Sequence, residues 1–361
     1  MPSAIPAACS SSSPDTTDAL NQFIGSVPDN MTIEFPAGAC YRVEGTIELF
    51  QRNSLTFEGN GATLRSFTDG AGYGTDLAKR HHIFCHAGSN LAFDHLNIVG
   101  DNVDHTYEAR YAGQAAWWVW GTQGFAVTNS QVNDVRGDFV TLGPDTYRSW
   151  VWTTNVTITG DTFDGSGRQG IAITGAQNVS ISHNSMANSA LSAFDIEPDS
   201  GTGPLINGVP TYGGAADVTI ADNTVGAAGS TFLSNYGLAA RITGIVVTRN
   251  VLHDVALVIW SKGDAKVHRG DWTITANTSD KAFASPRAAI ELTYVDRATI
   301  TRNTIPFYAP QKVTAVRVWG SSDVTVSDNS FPGAAVPLQR DRNWSGLSTT
   351  KVASGGNAVS G

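Results

Sequence analysis

The sequence predicts an all-β protein, wound as a single-stranded right-handed parallel β-helix of about ten or more coils. A short N-terminal capping helix is expected to precede the coils. Three observations predict this. Gly, Thr, Ser, Asn and Val recur throughout; apolar residues alternate with period two; and the alternating segment returns every 26 or 27 residues over much of the chain.

The composition comes first. The 361 residues include 37 Gly and only 15% charged side chains, with no long Leu/Ala/Glu/Lys-rich stretch. Such a chain favours strands and tight turns over helices. The formal net charge is -9. No cluster of Lys and Arg is present to meet a phosphate backbone, so nucleic acid is not an expected partner. No apolar run is long enough to span a membrane, and no cysteine or histidine spacing marks a metal site.

The repeat sets the architecture. Asn155-Val-Thr-Ile-Thr-Gly-Asp-Thr-Phe163, Asn178-Val-Ser-Ile-Ser-His-Asn-Ser-Met186 and Asp217-Val-Thr-Ile-Ala-Asp-Asn-Thr-Val225 share one frame, apolar-x-apolar-x-x-Asn-x-apolar. The segments 244–252, 271–279, 297–305 and 323–331 repeat it. Its Asn falls at Asn184, Asn223, Asn250, Asn277, Asn303 and Asn329, with Asp161 and Ser130 in the slot of earlier copies and Asn60 starting the series. Period two marks strands buried on one side. A copy this short cannot bury its apolar face alone, so copies must stack. The Asn is expected to sit in a left-handed turn and to hydrogen-bond its counterpart one coil away. An apolar period of two excludes a helical solenoid, and a propeller needs a longer repeat.

The ends need covers, because a stack leaves open strand edges. Asp15-Thr-Thr-Asp-Ala-Leu-Asn-Gln-Phe-Ile-Gly-Ser26 supplies one. Asp15 or Thr16 can cap a short helix whose Leu20, Phe23 and Ile24 form an apolar face. Residues 1–14 are expected to be a flexible, polar N-terminal segment, 15–340 the β-helix domain and 341–361 a Gly/Ser-rich tail. The small, Ser-rich start reads as that of a mature secreted chain. Cys9, Cys40 and Cys85 leave two readings open: a Cys9–Cys40 bridge with Cys85 buried and free, or three unpaired thiols.

The helix at 15–26, followed by Thr32-Ile-Glu-Phe-Pro-Ala-Gly38, resembles the N-terminal entry of the pectate-lyase-like superfamily. The resemblance runs from about Asp15 to Gln339. It implies a right-handed β-helix. It leaves the reaction open, since that superfamily holds lyases, hydrolases, epimerases and phage adhesins.

A second strand precedes the repeat frame in each coil, as in Phe139-Val-Thr-Leu142, Ile171-Ala-Ile-Thr174, Phe194-Asp-Ile-Glu197 and Phe232-Leu-Ser-Asn235. Leu257-Val-Ile-Trp260, Ile290-Glu-Leu-Thr293 and Val316-Arg-Val-Trp319 continue the series. If alternate apolar residues point inward, the outward face carries Asp195, Glu197, Asn235, Trp260, Glu291, Thr293, Arg317 and Trp319. Trp118 and Trp120 join it if Val119 faces the core. Flat aromatics beside carboxylates suit sugar rings, whose C–H faces stack while their hydroxyls hydrogen-bond. Two bland readings compete: loops covering the tryptophans as a secondary core, and a one-residue slip that would turn these side chains inward.

Phe194-Asp-Ile-Glu-Pro-Asp199 is the densest acidic spot. Asp195 and Glu197 lie two apart on one strand and so share a face, with backbones about 6.5 Å apart. Crowded acids raise one another's proton affinity, as a general acid requires. Arg168 and Gln169, in Gly165-Ser-Gly-Arg-Gln-Gly170, precede the neighbouring strand. Arg168-Gln-Gly-Ile followed by Asp195-Ile-Glu-Pro198 resembles a pattern of bacterial β-helix proteins of carbohydrate-active type. The insertion 199–216 and the segments 143–154 (with Tyr147, Arg148, Trp150 and Trp152) and 101–114 are candidate walls of a cleft.

Together these features predict an extracellular, polysaccharide-degrading glycoside hydrolase. Asp195, Glu197 and Arg168 are its expected catalytic residues. Gln169, Asn235, Trp260, Lys262, Glu291, Arg317, Trp319, Trp118 and Trp120 are its expected substrate contacts. Hydrolysis requires no cofactor. Alternatives are a lyase or epimerase acting on uronic acids, with Ca²⁺ then held by Asp195, Glu197 and Asp199, and a non-catalytic glycan-binding adhesin. The Arg-rich strand motifs of better-known pectate lyases are absent. So are the Asn-Thr-Asp, Asp-Asp and Gly-His-Gly signatures of polygalacturonases. No trimerisation segment is evident, so a monomer is favoured.

Overall fold

The computed structural model describes residues 2, 5–70, 72, 80–147, 150–198, 205–206, 209–210, 213–229, 231–235, 240–263, 267–284, 287–308, 313–341 and 349–359. Among these residues the chain winds into three parallel sheets of twelve, nine and eleven strands. Strands of successive coils pair in parallel throughout the stack. The structure is thus the right-handed parallel β-helix expected from the repeat, with one short helix at its N-terminal end.

The repeat frame forms the twelve-stranded sheet. In Thr153–Thr159 the inward residues are Val156 and Ile158, and in Ala176–Ser182 they are Val179 and Ile181. Each stacks on its counterpart one coil away. Aromatics extend one of these columns, with Phe57 over Phe93 at 4.7 Å between ring centroids, and elsewhere in the core Phe139 stacks on Phe163 at 5.1 Å. The helix Thr17–Ser26 buries Leu20 and Ile24 against the first coil. Its cap comes from Asp15, whose Oδ1 accepts the Thr17 N–H at 3.0 Å, while the Thr16 hydroxyl donates to the Arg42 carbonyl.

The Asn ladder forms as expected in its hydrogen bonding. The Nδ2 of Asn184, Asn223, Asn250, Asn277 and Asn303 each donates to the Oδ1 of the next Asn at 2.9–3.0 Å. Its backbone geometry corrects the expectation. The left-handed residue is the one before each Asn: His183, Asp222, Arg249, Ala276, Arg302 and Asp328. The Asn itself then turns inward, where it is buried and bonded to a carbonyl of an earlier coil. Asn60 is not part of the ladder. It is exposed, at φ 53°, and donates to the Phe35 carbonyl.

Coil structure also extends beyond the expected C-terminal boundary. Thr350–Gly355 is the last strand of the twelve-stranded sheet, and Asn357 accepts from Asn329, so the coil structure passes 340 into the expected tail. Gly and Ser are compatible with this strand because its exposed edge has little to bury. At the other end, residues 9–13 of the expected flexible segment are tethered. Cys9 and Cys40 form a disulfide, and Arg42 Nη1 donates to the carbonyls of Ser11 and Ser13. Cys85 is a free, buried thiol whose pKa burial pushes up. Disulfides of this kind persist in oxidising, non-cytoplasmic compartments. Replacing Cys9 and Cys40 by Ser should destabilise the chain by about 3 kcal/mol. A thermal melt unchanged by the double substitution would contradict this.

Candidate functional site

The eleven-stranded sheet presents the candidate face. Its register places Trp118, Thr141, Ala172, Asp195, Ser234, Trp260, Glu291 and Arg317 in one outward row along the helix axis. Two residues further along each strand lies a second row, containing Trp120, Gly143, Glu197, Lys262, Thr293 and Trp319. Val119 faces the core, fully buried, as outward Trp118 and Trp120 require.

Asn235 is the exception. Leu233, not Phe232, aligns with Phe194 and Ile259, so the strand is offset by one residue from the expected register. Asn235 therefore points inward, 3% exposed, donating to the Ile196 carbonyl and accepting from Ser261. Phe232 and Leu233 are both buried, which is why alternation alone did not reveal the register. The slip puts Ser234 on the outer face beside Asp195.

The acidic centre is built over four successive coils. Asp138, with no exposed surface, accepts from Arg168 Nη1 (3.0 Å), the Gln169 N–H (2.9 Å) and the Thr141 hydroxyl (2.8 Å). Burial pushes its pKa up, against the opposing pull of Arg168 and these donors. Arg168 spans the gap to the next coils, its Nη2 meeting Glu197 Oε2 at 2.6 Å. Asp138 above all, then Glu197 and Asp195, holds the guanidinium in its charged form against burial. Gln169 donates to Asp195 Oδ2 at 3.1 Å and accepts the Ser192 N–H at 2.8 Å. Ser234 donates to Asp195 Oδ1 at 2.5 Å. The Arg-Gln-Gly turn fits because Gly170 has no side chain; a Cβ there would collide with the Ala193 carbonyl and the Met186 sulfur.

The two carboxyls of the Asp-Ile-Glu strand meet opposite environments. Asp195 is 4% exposed, and burial raises its pKa to about 7, with Glu197 adding to the rise and the Ser234 hydrogen bond opposing it. Glu197 has 42% of its side chain exposed and is ion-paired with Arg168. Three carboxyl groups thus surround one guanidinium, with Asp138 and Glu197 paired to it directly.

The other expected contacts separate into two groups. Trp118 and Trp120 are half-buried and join an aromatic cluster at the N-terminal end of the face. Trp260 packs partly on the core, its Nε1 donating to the Ala288 carbonyl at 3.4 Å and its ring beneath the Arg287 guanidinium. Glu291 lies three coils from Asp195, or about 14 Å, and pairs with Arg317 at 3.4 Å. Arg317 also contacts Gln339 and lies over Trp319. Lys262 is exposed between these groups. Asp138, Thr141 and Ser234 join the site from coils before and after Asp195, and of these only Ser234 flanks Asp195 directly in register, opposite Ala172.

Loops contribute at one end. Asp145 pairs with Val151 in an antiparallel bridge and accepts the Tyr147 N–H, presenting an exposed Tyr147 beside Trp120. In the segment 101–114, His105 bonds Asp134, and Asn102 donates to the Val135 carbonyl next to the Gly165–Gly170 turn. Arg148 and Asp199 lie outside the described residues, as does much of the insertion 199–216. Among the described residues, no three His, Cys, Asp or Glu side chains gather to hold a metal ion. Asp195 accepts from Gln169 and Ser234, and Glu197 Oε2 from Arg168, while Asp199, the third oxygen donor of the Ca²⁺ alternative, is the one that lies outside the described residues. No helix among the described residues is long and apolar enough to cross a membrane.

Residues 114–269 match the family model described as right handed beta helix region. No curated protein matches the sequence. Among solved structures, the chain is similar to an endo-xylogalacturonan hydrolase from Aspergillus tubingensis, at 14% identity and a TM-score of 0.65, covering 99% of each chain. It is also similar to the catalytic unit of an alpha-1,3-glucanase from Streptomyces thermodiastaticus, at 15% identity and a TM-score of 0.61, covering 96% of this chain and 66% of that one. The surface adhesin PfbA of Streptococcus pneumoniae matches at 13% identity and a TM-score of 0.58, over 91% and 89% of the two chains. These likenesses establish a shared right-handed parallel β-helix fold, found in glycoside hydrolases and in an adhesin.

Proposed function

We propose that this chain is an extracellular glycoside hydrolase acting on a polysaccharide laid along the outer face of its eleven-stranded sheet. The observation that carries the proposal is the contrast between Asp195 and Glu197. One carboxyl is buried and proton-retaining to about pH 7, while the other faces solvent against Arg168. Hydrolysis needs such a pair: an acid to protonate the leaving oxygen and a carboxylate to act as base or nucleophile. Asp195 takes the first role and Glu197 the second. Asp138, Arg168 and Gln169 position them.

Asp195 opens only narrowly to the groove, so the scissile linkage must seat directly over it, between Ala172 and Ser234. Hydrolase relatives in fold support the reading, and the PfbA likeness supports the alternative of glycan binding without cleavage. A panel of polysaccharides separates these possibilities. The expected result is reducing-end release from at least one glycan without new absorbance near the ultraviolet edge, lost in Asp195→Asn and Glu197→Gln. Absorbance rising with cleavage would identify a lyase. Turnover indifferent to both substitutions would place the site elsewhere.

A further inference from the structure

We propose that the first coils of the same sheet form a stacking platform for a neutral stretch of the glycan, made by Phe50, Phe84, His86, Trp118, Trp120 and Tyr147. This inference rests on the reading of the sheet face as glycan-binding. The six rings come from three successive strands and one loop, yet they make a continuous surface. Phe84 stacks on His86 at 5.3 Å and 14° between planes. Trp120 meets Phe84 edge-on at 5.7 Å and Trp118 at 5.9 Å. Phe50 lies 5.1 Å from His86, and Tyr147 lies 6.0 Å from His86 and 6.1 Å from Trp120.

Hydrophobic collapse would hide such a cluster, but its rim is open: Phe50 is 57% and Tyr147 79% exposed. The sheet also makes room for it. A Cβ on Gly143 would lie 2.8 and 2.9 Å from Trp120 Cδ1 and Nε1, so the indole lies flat across the next coil only because that residue is Gly. Beyond it the floor is small, with Thr141, Ala172 and Thr174 leading to Asp195. The platform is therefore continuous with the acidic centre, starting about 14 Å away at Trp120 and reaching about 24 Å at Phe50. An occupant touching both must be an oligosaccharide.

The chemistry favours uncharged sugars. None of the six rings carries a permanent charge, and the ionisable side chains against them are the buried Asp145, 3.2 Å from His86, and the buried His81, stacked on Trp118 at 4.5 Å. The whole chain is acidic as well. Among the described residues no Lys or Arg pairs with or lies over these six rings, and the chain's negative charge repels polyuronates, whereas the C–H faces of neutral pyranoses stack on aromatic rings.

The test is affinity electrophoresis of the full chain carrying Asp195→Asn, so that cleavage is not required. Gels contain dextran, laminarin, galactomannan or arabinoxylan as neutral probes, and polygalacturonate or alginate as anionic ones. At least one neutral glycan should retard the protein. The surface substitutions Phe50→Ala and Tyr147→Ala together should weaken that retardation by about tenfold or more, and Tyr308→Ala, an exposed ring elsewhere, should leave it unchanged. Near-native circular dichroism of the double variant secures the comparison. Retardation by polyuronates alone, by none of the neutral glycans, or equally in the double variant overturns the platform. Binding without any turnover by the unmodified chain would sink the hydrolase assignment while leaving the platform standing.

Discussion

Asp195→Asn should lower turnover by about 10²- to 10⁴-fold, the usual contribution of a positioned general acid, while leaving the protein at least as stable near pH 8. The second half follows from linkage. Burial raises the Asp195 pKa to about 7 in the folded state, well above its value in an unfolded chain. Its contribution to stability is therefore present in full at low pH and is lost as pH rises towards 7. Above that, the folded chain carries a buried carboxylate that Asn does not, and the amide can still accept from Ser234 or Gln169. With Asp195 as the proposed general acid, kcat/KM of the unmodified chain should fall as pH rises through about 7. Kinetics and thermal melts on one preparation check both. A variant that loses activity only by losing its fold would contradict the assignment.

Asp161→Asn should stabilise the chain at pH 8, by a margin on the order of 4 kcal/mol. Asp161 occupies the ladder slot one coil before Asn184. Its Oδ1 accepts the Ser130 N–H at 2.8 Å, but its buried Oδ2 has no hydrogen-bond partner. In Asn184 the equivalent side chain donates from its amide to the Ile158 carbonyl and to the next Asn. An oxygen cannot donate unless protonated, and burial accordingly lifts the Asp161 pKa to about 7. The folded state holds this proton more tightly than the unfolded state, so wild-type stability declines from about pH 4 to pH 7. Asparagine supplies the missing donor at every pH. Unfolding midpoints of both proteins between pH 4 and 8 test this, with a gap that widens as pH rises. A constant gap, or a less stable variant at pH 8, would show that Asp161 is satisfied as a carboxylate.

These two residues show what the sequence could reveal. The strand frame around Val156 and Ile158 was legible because a β-strand writes its burial in period two, and a stack repeats that writing at every coil. The ladder was legible for the same reason. Its left-handed neighbour was not, since His183, Arg249 and Ala276 carry no shared side chain at that position. On the functional face, Asp195 and Glu197 stood out because two acids on one strand share a side. Asn235 was misplaced because Phe232-Leu233 offers two apolar residues in succession. The partners that give the acids their character come from other coils: Asp138 and Ser234 are 57 and 39 residues from Asp195 in sequence. Only the winding of the chain brings them together. Ile83-Phe-Cys-His86 carries the alternation that exposes Phe84 and His86, yet only the loop ending at Tyr147 completes the cluster.

Cleavage of a glycan identified by the panel, carried out in H₂¹⁸O and read by mass spectrometry, tests the central claim most directly. Hydrolysis by the Asp195–Glu197 pair adds water across the linkage, so each new reducing end should carry one heavy oxygen, and Asp195→Asn should form almost none of this product. Products that lack the label and bear a new double bond would contradict the account, because the bond would then have broken by elimination.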